Sequence, residues 1–145
     1  MNAGKLSIRM CDWCSACAEA RLIREQVFVQ EQGVPRELEW DDWDAPSVHA
    51  LAFAAGVPVG TGRLLPDGHI GRMAVLKAWR GNGVGGALLE SLVEQARRDG
   101  HAAVLLNAQT HAAGFYRRYG FLAEGPEFME VDIPHVLMRR SLREA

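Results

Sequence analysis

The chain has 145 residues, of which 48% are hydrophobic and 23% are charged, and its formal net charge at pH 7 is -2. This length fits one domain over residues 1–145 with a sizeable buried core, and the balanced composition excludes a disordered chain or a coiled coil. The near-neutral charge argues against a general nucleic-acid binder, which usually presents a basic face.

Targeting segments are not evident in the sequence. No stretch approaches the roughly 18 apolar residues that a membrane-spanning helix needs. The N-terminus has no apolar segment behind Lys5, so it does not resemble a secretory signal. We therefore expect a cytoplasmic protein that has no membrane partner.

Hydrophobic periodicity predicts the first two elements. Apolar and polar residues alternate over residues 5–13, which is typical of a strand. Residues 16–30 predict a helix that Gly33 and Pro35 end. Its predicted apolar face comprises Leu22, Ile23, Val27 and Gln30.

Cys11, Cys14 and Cys17 form a C-x-x-C-x-x-C pattern between these elements, as at the start of a ferredoxin-type cluster motif. A fourth thiolate is missing, and the five histidines lie far away in sequence, so a metal site lacks ligands. We expect no metal and interpret the three residues as small buried thiols in a reducing compartment.

Residues 36–47 predict an acidic loop in which tryptophans are interleaved with five carboxylates: Glu37, Glu39, Asp41, Asp42 and Asp44. Two short apolar runs follow, Val48–Ala55 and Val59–Leu65, and the intervening Gly56-Val57-Pro58 predicts a hairpin. A further strand is predicted over Ile70–Leu76.

The second half of the chain begins with a glycine-rich segment, residues 80–86, which opens an amphipathic helix ending at Asp99-Gly100. A buried-type strand is predicted over 102–108. Thr110 is predicted to cap a short helix that Gly120 closes. Residues 121–124 and 134–140 predict one or two final strands. This order indicates an α/β domain in which strands lead early and one βαβ unit follows the glycines.

The glycine segment contains Gly81-x-Gly83-x-x-Gly86, which matches G-x-G-x-x-G by letters. A dinucleotide-binding fold has an acidic residue after the next strand, whereas here that strand ends at Asn107 and 38 residues remain (145 minus 107). A kinase glycine loop lies between strands, and a Walker A loop ends in Gly-Lys-Ser/Thr. Neither description fits a segment that opens a helix with Gly86-Ala87-Leu88.

Two interpretations of these glycines remain. One is a turn that merely starts a helix, although four glycines within six residues cost backbone entropy. The other is an anion site, because free amides at a helix N-terminus attract negative charge and Arg80 adds a guanidinium suited to phosphate oxygens. We therefore expect the segment to hold a pyrophosphate.

Three separated motifs carry a resemblance to a known family. Residues 80–87 resemble the Arg/Gln-x-x-Gly-x-Gly/Ala signature of GCN5-related N-acetyltransferases (GNAT), which bind the pyrophosphate of coenzyme A. Met73-Ala74-Val75 resembles the preceding strand of that family, and residues 115–121 resemble its F-Y-x-x-x-G-F element. The similarity runs from about residue 6 to 138. Residues 27–32 and 133–138 resemble the small bacterial ElaA-like branch.

This resemblance implies an α+β acyl-CoA N-acyltransferase fold, with a mixed central sheet of about six to seven strands flanked by helices. It implies an acetyl-CoA-dependent transfer to a primary amine of a small molecule or peptide, by direct attack in a ternary complex, with no metal and no nucleic acid. The implied cofactor-binding residues are Met73, Ala74, Val75, Arg80, Gly81, Asn82, Gly83, Val84, Gly85, Gly86, Asn107, Gly114, Phe115 and Tyr116.

The resemblance also implies that Tyr116 is the general acid beside the sulfur, since a phenol is protonated at neutral pH. Without the resemblance, the sequence would indicate only that Tyr116 is a packed aromatic residue. The identity of the general base stays open. The candidates lie near the side of the site where the acceptor would bind: Glu31, Glu39, Asp41 and His49. The alternative is that the three acids are solvated loop residues and that His49 is simply a histidine at the start of a strand. The acidic loop would attract a cationic acceptor, with cation–π support from Trp40 and Trp43, or is simply solvated. His135 matches the branch signature, and we interpret its role as structural, holding the last strand or a homodimer contact.

Two further hypotheses remain for the function. One is a non-catalytic acyl-CoA-binding or sensing module that keeps the pocket without turnover. The other is a nucleotide-dependent oxidoreductase, which predicts thermal stabilisation by NAD.

Overall fold

The computed structural model describes residues 5–143. Its strands are β1 (Leu6–Cys11), β2 (Val48–Ala54), β3 (Val57–Leu64), β4 (Ile70–Val75), β5 (Ala103–Gln109), β6 (Leu122–Glu130) and β7 (Ile133–Ser141). Its α-helices are α1 (Trp13–Arg24), α2 (Arg36–Glu39), α3 (Val84–Arg98) and α4 (Ala113–Arg118). A π-helical segment, Glu25–Glu31, continues α1, and 3-10 turns occupy Lys77–Trp79 and Thr110–Ala112.

The strands form two antiparallel sheets that meet along one edge. The first has the order β1-β2-β3-β4, and the second has the order β5-β7-β6. A single parallel bridge between His69 and Leu105 joins β4 to β5 among the described residues. The predicted α+β fold with up to seven strands is confirmed, and its mixed character rests on that one parallel junction.

Helix α3 forms the centre of the core because one face of it is apolar at helical spacing. Its buried residues include Leu88, Leu89, Leu92 and Ala96, which pack with residues of both sheets such as Val59 and Leu106. The helix ends as predicted at Asp99, followed by Gly100 with φ +85°. This packing places the N-terminus of α3 beside the edges of β4 and β5.

The predicted helix over 16–30 is wrong in its start and in part of its buried face. It begins at Trp13, where the Asp12 side chain accepts a hydrogen bond from the Ser15 amide at 2.9 Å. Leu22 is 56% exposed and Gln30 is exposed, whereas Arg24 is buried. The π-helical turns after Arg24 alter the side-chain period, and Arg24 takes a buried position because it pairs with carboxylates described below.

The hairpin prediction is confirmed with a shorter turn. Ala55 and Gly56 form it, both with positive φ (51° and 81°), so Val57 and Pro58 belong to β3. The predicted Thr110 cap is wrong, since residues 110–112 form a 3-10 turn and neither it nor α4 has a side-chain capping bond.

Two further predictions differ from the structure. Strand β6 continues past Glu124 to Glu130, because a register shift accommodates the Gly125-Pro126 pair. Cys14 is exposed rather than buried, while Cys11 and Cys17 are partly buried.

Within residues 5–143, no three His, Cys, Asp or Glu side chains are grouped so that they could hold a metal ion. No helix in that range is long and apolar enough to span a membrane.

Candidate active site

A cleft opens where the two sheets diverge. β4 and β5 pair with β3 and β7 on their outer sides, and between them the described residues have only the bridge at His69 and Leu105. Beyond that bridge the C-terminal halves of the two strands border a cleft of about 1160 Å³. The unpaired strand edges therefore present backbone groups to whatever occupies it.

The N-terminus of α3 lies at this cleft without a side-chain cap. Gly81 (φ +82°) and Gly83 (φ +81°) adopt left-handed conformations that favour glycine, and Gly83 is the N-cap residue. The first helical bond runs from the Ala87 amide to the Gly83 carbonyl (3.0 Å). Among the described residues, the amides of 84–86 have no backbone acceptor, so they and the helix dipole are available to an anion.

The next two glycines allow α4 to approach α3 closely. A Cβ at Gly85 would lie 3.3 Å from Phe115 Cζ, and one at Gly86 would lie 1.9 Å from Tyr119 Oη. A larger residue at position 86 would displace Tyr119. The glycines thus set the aromatic wall of the cleft as well as the uncapped start of α3.

Arg80 connects this loop to the opposite wall. Its guanidinium donates two hydrogen bonds to Glu31, at 2.6 and 2.8 Å, and its Nε donates to the Val75 carbonyl at 3.0 Å. The hydrogen bond with Arg80 holds the pKa of Glu31 below its ordinary value. The bond to Val75 also shows that the Val75 carbonyl points away from β3.

Tyr116 is half-buried in the cleft wall, with edge-on contacts to Phe115 (5.1 Å between centroids) and Phe121 (6.0 Å). Its hydroxyl has no hydrogen-bond partner in the part of the chain that the structure describes. Burial raises the pKa of Tyr116 to about 12. The phenol is therefore protonated over the whole physiological range.

Three of the five carboxylates of the acidic loop (Glu39, Asp41 and Asp44) are paired with arginines, which neither interpretation of the loop had included. Arg24 binds Glu39 through Nε and Asp44 through both terminal nitrogens (2.8 and 3.1 Å). Arg63 donates to Asp41 at 2.7 and 3.0 Å and to Asp44 at 2.8 Å. These pairs reach from α1 and β3 into the loop, and they hold it as one wall of the cleft.

The charges of this network perturb its members in different directions. The hydrogen bonds from Arg63 hold the pKa of Asp41 below its usual range. Burial alone would raise the pKa of Asp44, but its bonds to Arg24 and Arg63 outweigh burial and lower it. Burial raises the pKa of Glu39 despite Arg24, and Glu39 Oε2 is buried without a partner.

The four base candidates are therefore not equivalent in position. Glu31, Glu39 and Asp41 border the cleft, and each is engaged by an arginine. His49 is 1% exposed, does not border the cleft, and has its Nε2 2.8 Å from the Asp44 carbonyl. Burial lowers the pKa of His49.

The second sheet contributes a polar group that sequence reasoning did not place in the site. His135 on β7 borders the cleft and is 5% exposed. Its Nδ1 lies 2.7 Å from the Ile133 carbonyl, and its Nε2 lies 3.6 Å from Glu130. Glu130 in turn lies 3.5 Å from Asn107 Nδ2. The only sequence signal for this cluster was the position of His135 in the branch motif.

Most residues predicted for the cofactor border the cleft. Those that do are Met73, Ala74, Val75, Arg80, Gly81, Gly83, Val84, Gly85, Gly86, Asn107, Phe115 and Tyr116. Asn82 does not, because its side chain donates to the carbonyls of Trp79 and Arg80 within the turn. Gly114 does not border it either, and no atom lies within 4 Å of a Cβ built there.

Comparison with known proteins decides the family. A family model described as an acetyltransferase (GNAT) domain matches residues 18–142. The chain belongs to the GNAT family. Membership of this family supports an acyltransferase activity.

Two bacterial relatives show which members of the GNAT family the chain is similar to. The chain is 39% identical over 126 residues to the uncharacterized N-acetyltransferase YjcF of Bacillus subtilis (strain 168), covering 84% of this chain and 90% of YjcF. It is 31% identical over 131 residues to protein ElaA of Escherichia coli (strain K12), covering 85% and 86%. The predicted ElaA-like resemblance is confirmed.

Solved structures agree with the fold. The crystal structure of an acyl-CoA N-acyltransferase from Pseudomonas aeruginosa matches with a TM-score of 0.85 at 33% identity, covering 94% of this chain and 100% of that one. The crystal structure of Escherichia coli ElaA matches with a TM-score of 0.85 at 27% identity and the same coverage.

Proposed function

We propose that this GNAT protein transfers the acetyl group of acetyl-CoA to a primary amine of a small molecule or peptide, by direct attack in a ternary complex. The observation that carries the proposal is the uncapped, glycine-rich N-terminus of α3 at the mouth of the cleft between β4 and β5. An anion with a long, linear arm suits this combination, because its charge meets the helix end and its arm follows the strand edges.

The residues present fit coenzyme A. A Cβ at Gly81 or Gly83 would meet no atom within 4 Å, so the side of the loop that faces away from the protein is open to a pyrophosphate. The amides of 84–86 would bind its oxygens, and the backbone of Met73 and Val75 would pair with the pantetheine amides.

The thioester supplies an activated acyl carbon, and the protein's contribution is to place and protonate groups around it. Backbone amides of residues 73–75 would stabilise charge on the carbonyl oxygen. Tyr116 would donate its proton to the departing sulfur. The nitrogen of the acceptor loses a proton as the amide forms, and that proton restores the Tyr116 phenol, so the hydroxyl is unchanged over one turnover.

A matched pair of glycine variants tests the anion site. Gly83 and Gly100 lie at opposite ends of α3, with φ +81° and +85°, and neither has an atom within 4 Å of its Cβ position. Alanine at either site should therefore cost a similar strain, roughly 1–2 kcal/mol. Calorimetric titration with coenzyme A should show weaker binding for Gly83→Ala alone. Equal affinity in both variants would contradict the pyrophosphate assignment.

Turnover is tested by thiol release from acetyl-CoA with a panel of primary amines: tyramine, putrescine, lysine and a tripeptide with a free N-terminus. We expect release with at least one amine and none without amine. Tight coenzyme A binding without release from any amine would instead support a non-catalytic acyl-CoA-binding module.

A further inference from the structure

The register of the second sheet places His135 on the face of the sheet that points away from α3 and borders the cleft. In β5, Leu106 and Ala108 point into the core against α3, so Asn107 and Gln109 point to the opposite face. His135 pairs directly with Gln109 in β7, and it therefore lies on that same face. The acceptor must approach from there, because α3 and α4 cover the other side.

The hydrogen bonds of His135 define its protonation pattern. A carbonyl only accepts hydrogen bonds, so the 2.7 Å contact to Ile133 requires that Nδ1 carries the hydrogen. In the neutral ring the lone pair is then on Nε2. Nε2 is 3.6 Å from a Glu130 carboxylate oxygen, which also only accepts. Nε2 and the Glu130 oxygen can therefore form a hydrogen bond only after Nε2 is protonated.

The partner carboxylate is fixed in this position by a strained turn. Val131 (φ +46°) and Asp132 (φ +62°) connect β6 to β7 in left-handed conformations, which are unfavourable for a β-branched residue. This tight turn sets Glu130 opposite Ile133. Phe128 stacks on the His135 ring at 5.9 Å and holds its plane.

The polar atoms in contact with the His135 ring are oxygens, from the Ile133 carbonyl and the Glu130 carboxylate. β5 contributes the uncharged Asn107 and Gln109 on this face, and β6 contributes the Glu130 carboxylate. His111 in the 3-10 turn after β5 is another ionisable residue that borders the cleft. No arginine or lysine among residues 5–143 is paired with His135 or Glu130, in contrast to the arginines that engage Glu31, Glu39 and Asp41.

We propose that His135 is the general base of the proposed acetyl transfer and that Glu130 binds the incoming ammonium and then the imidazolium. This inference rests on the proposed function. His135 Nε2 takes one proton from the acceptor R–NH3+, which leaves R–NH2 with a free electron pair. That nitrogen attacks the acetyl carbon, the C–S bond breaks, and the sulfur receives its proton from Tyr116. The nitrogen loses its second proton as the amide forms, and that proton restores the Tyr116 phenol. The imidazolium then returns its proton to solvent.

The test compares two variants with a control. His135→Asn keeps an amide donor close to the position of Nδ1, and therefore the bond to Ile133, but has no basic nitrogen. His135→Gln is a second variant in case the first is unstable. His101→Gln is the control, because His101 follows α3 and does not border the cleft. The readouts are thiol release with the most active amine of the panel from pH 6 to 10, thermal melting, and coenzyme A affinity.

At pH 7 we expect both His135 variants to lose about 10²–10⁴-fold in kcat/KM, with unchanged coenzyme A affinity. The deficit should shrink at least about tenfold by pH 10, because an amine of pKa about 10.4 is then partly neutral and needs no base. Tyr116, with its pKa of about 12, is still protonated there. Glu130→Gln should lower kcat/KM only about two- to fivefold, as for a half-exposed ion pair.

A loss that is the same at pH 7 and pH 10 would show a structural role for His135 and overturn the inference. Full activity of both variants at pH 7 would overturn it as well. In both cases the wild-type protein still releases thiol, so the proposed function stands. Absence of release by the wild-type protein with every amine would instead overturn the proposed function, and the inference with it.

Discussion

Arg24 is the residue whose removal should destabilise this fold most clearly. Its side chain is 1% exposed, and its three nitrogens reach Glu39, Asp44 and the Glu39 carbonyl. Arg24→Met keeps the apolar stem but leaves two buried carboxylates with less compensation. Removing one partner of a buried ion pair costs about 3–5 kcal/mol. At roughly 2–4 °C per kcal/mol for a chain of this size, the melting temperature should fall by about 6–20 °C.

The assay is thermal and urea unfolding at pH 7, with Arg36→Met as the matched control. Arg36 makes the same type of pair with Glu25, but its side chain is 63% exposed, so its loss should cost less than about 1 kcal/mol. Equal losses in the two variants would refute the reasoning, because they would show that burial of the Arg24 pair has no energetic consequence.

The pH dependence gives a second check on the same variant. The pKa of Asp44 is held below its ordinary value in the wild-type fold, so its contribution to stability is present above the unfolded pKa of about 3.9 and is lost as the pH falls. In Arg24→Met, Asp44 has lost one of its two arginine partners, so part of its contribution to stability is missing at pH 7. The stability difference should therefore narrow as the pH falls below about 4, and a constant difference there would contradict this account.

Two further predictions concern catalysis and cofactor binding. Tyr116→Phe should lower kcat by about 10²–10⁴-fold with little change in coenzyme A affinity by calorimetry; unchanged kcat would show that another group protonates the sulfur. Glu31→Gln frees the Arg80 guanidinium and removes a negative charge near the phosphate site, so it should tighten coenzyme A binding up to about fivefold, most strongly at low salt. A hundredfold loss of kcat in Glu31→Gln would return Glu31 to the role of base.

Local sequence signals predicted the glycine-rich start of α3 and its apolar face. The glycines at 81, 83, 85 and 86 precede an apolar helical stripe, and both features act over a few residues. A left-handed turn, an uncapped helix start and a buried helix face follow directly from such short-range patterns. The hairpin before β3 was predictable for the same reason, although its turn was predicted at residues 56–58 and lies at Ala55 and Gly56.

The wall of the cleft that contains Glu31 and the acidic loop depends on contacts between residues far apart in the sequence, which no short stretch of sequence reveals. Arg24 meets Glu39 and Asp44 across 15 and 20 residues, and Arg80 meets Glu31 across 49. The sequence showed the carboxylates of the loop but not the arginines that neutralise them, since helical periodicity assigns an arginine to the exposed face.

By itself, the sequence determined the order of elements, the glycine-rich start of α3 and the family of the chain, because each depends on residues adjacent along the backbone. Tertiary structure decided which acids are paired with arginines and placed His135 at the cleft. His135, Glu130 and Asn107 lie on three strands, and only the pairing register of β5, β7 and β6 sets their side chains on one face. Register arises from packing of the whole sheet against α3, and a shift of one residue would turn His135 into the core.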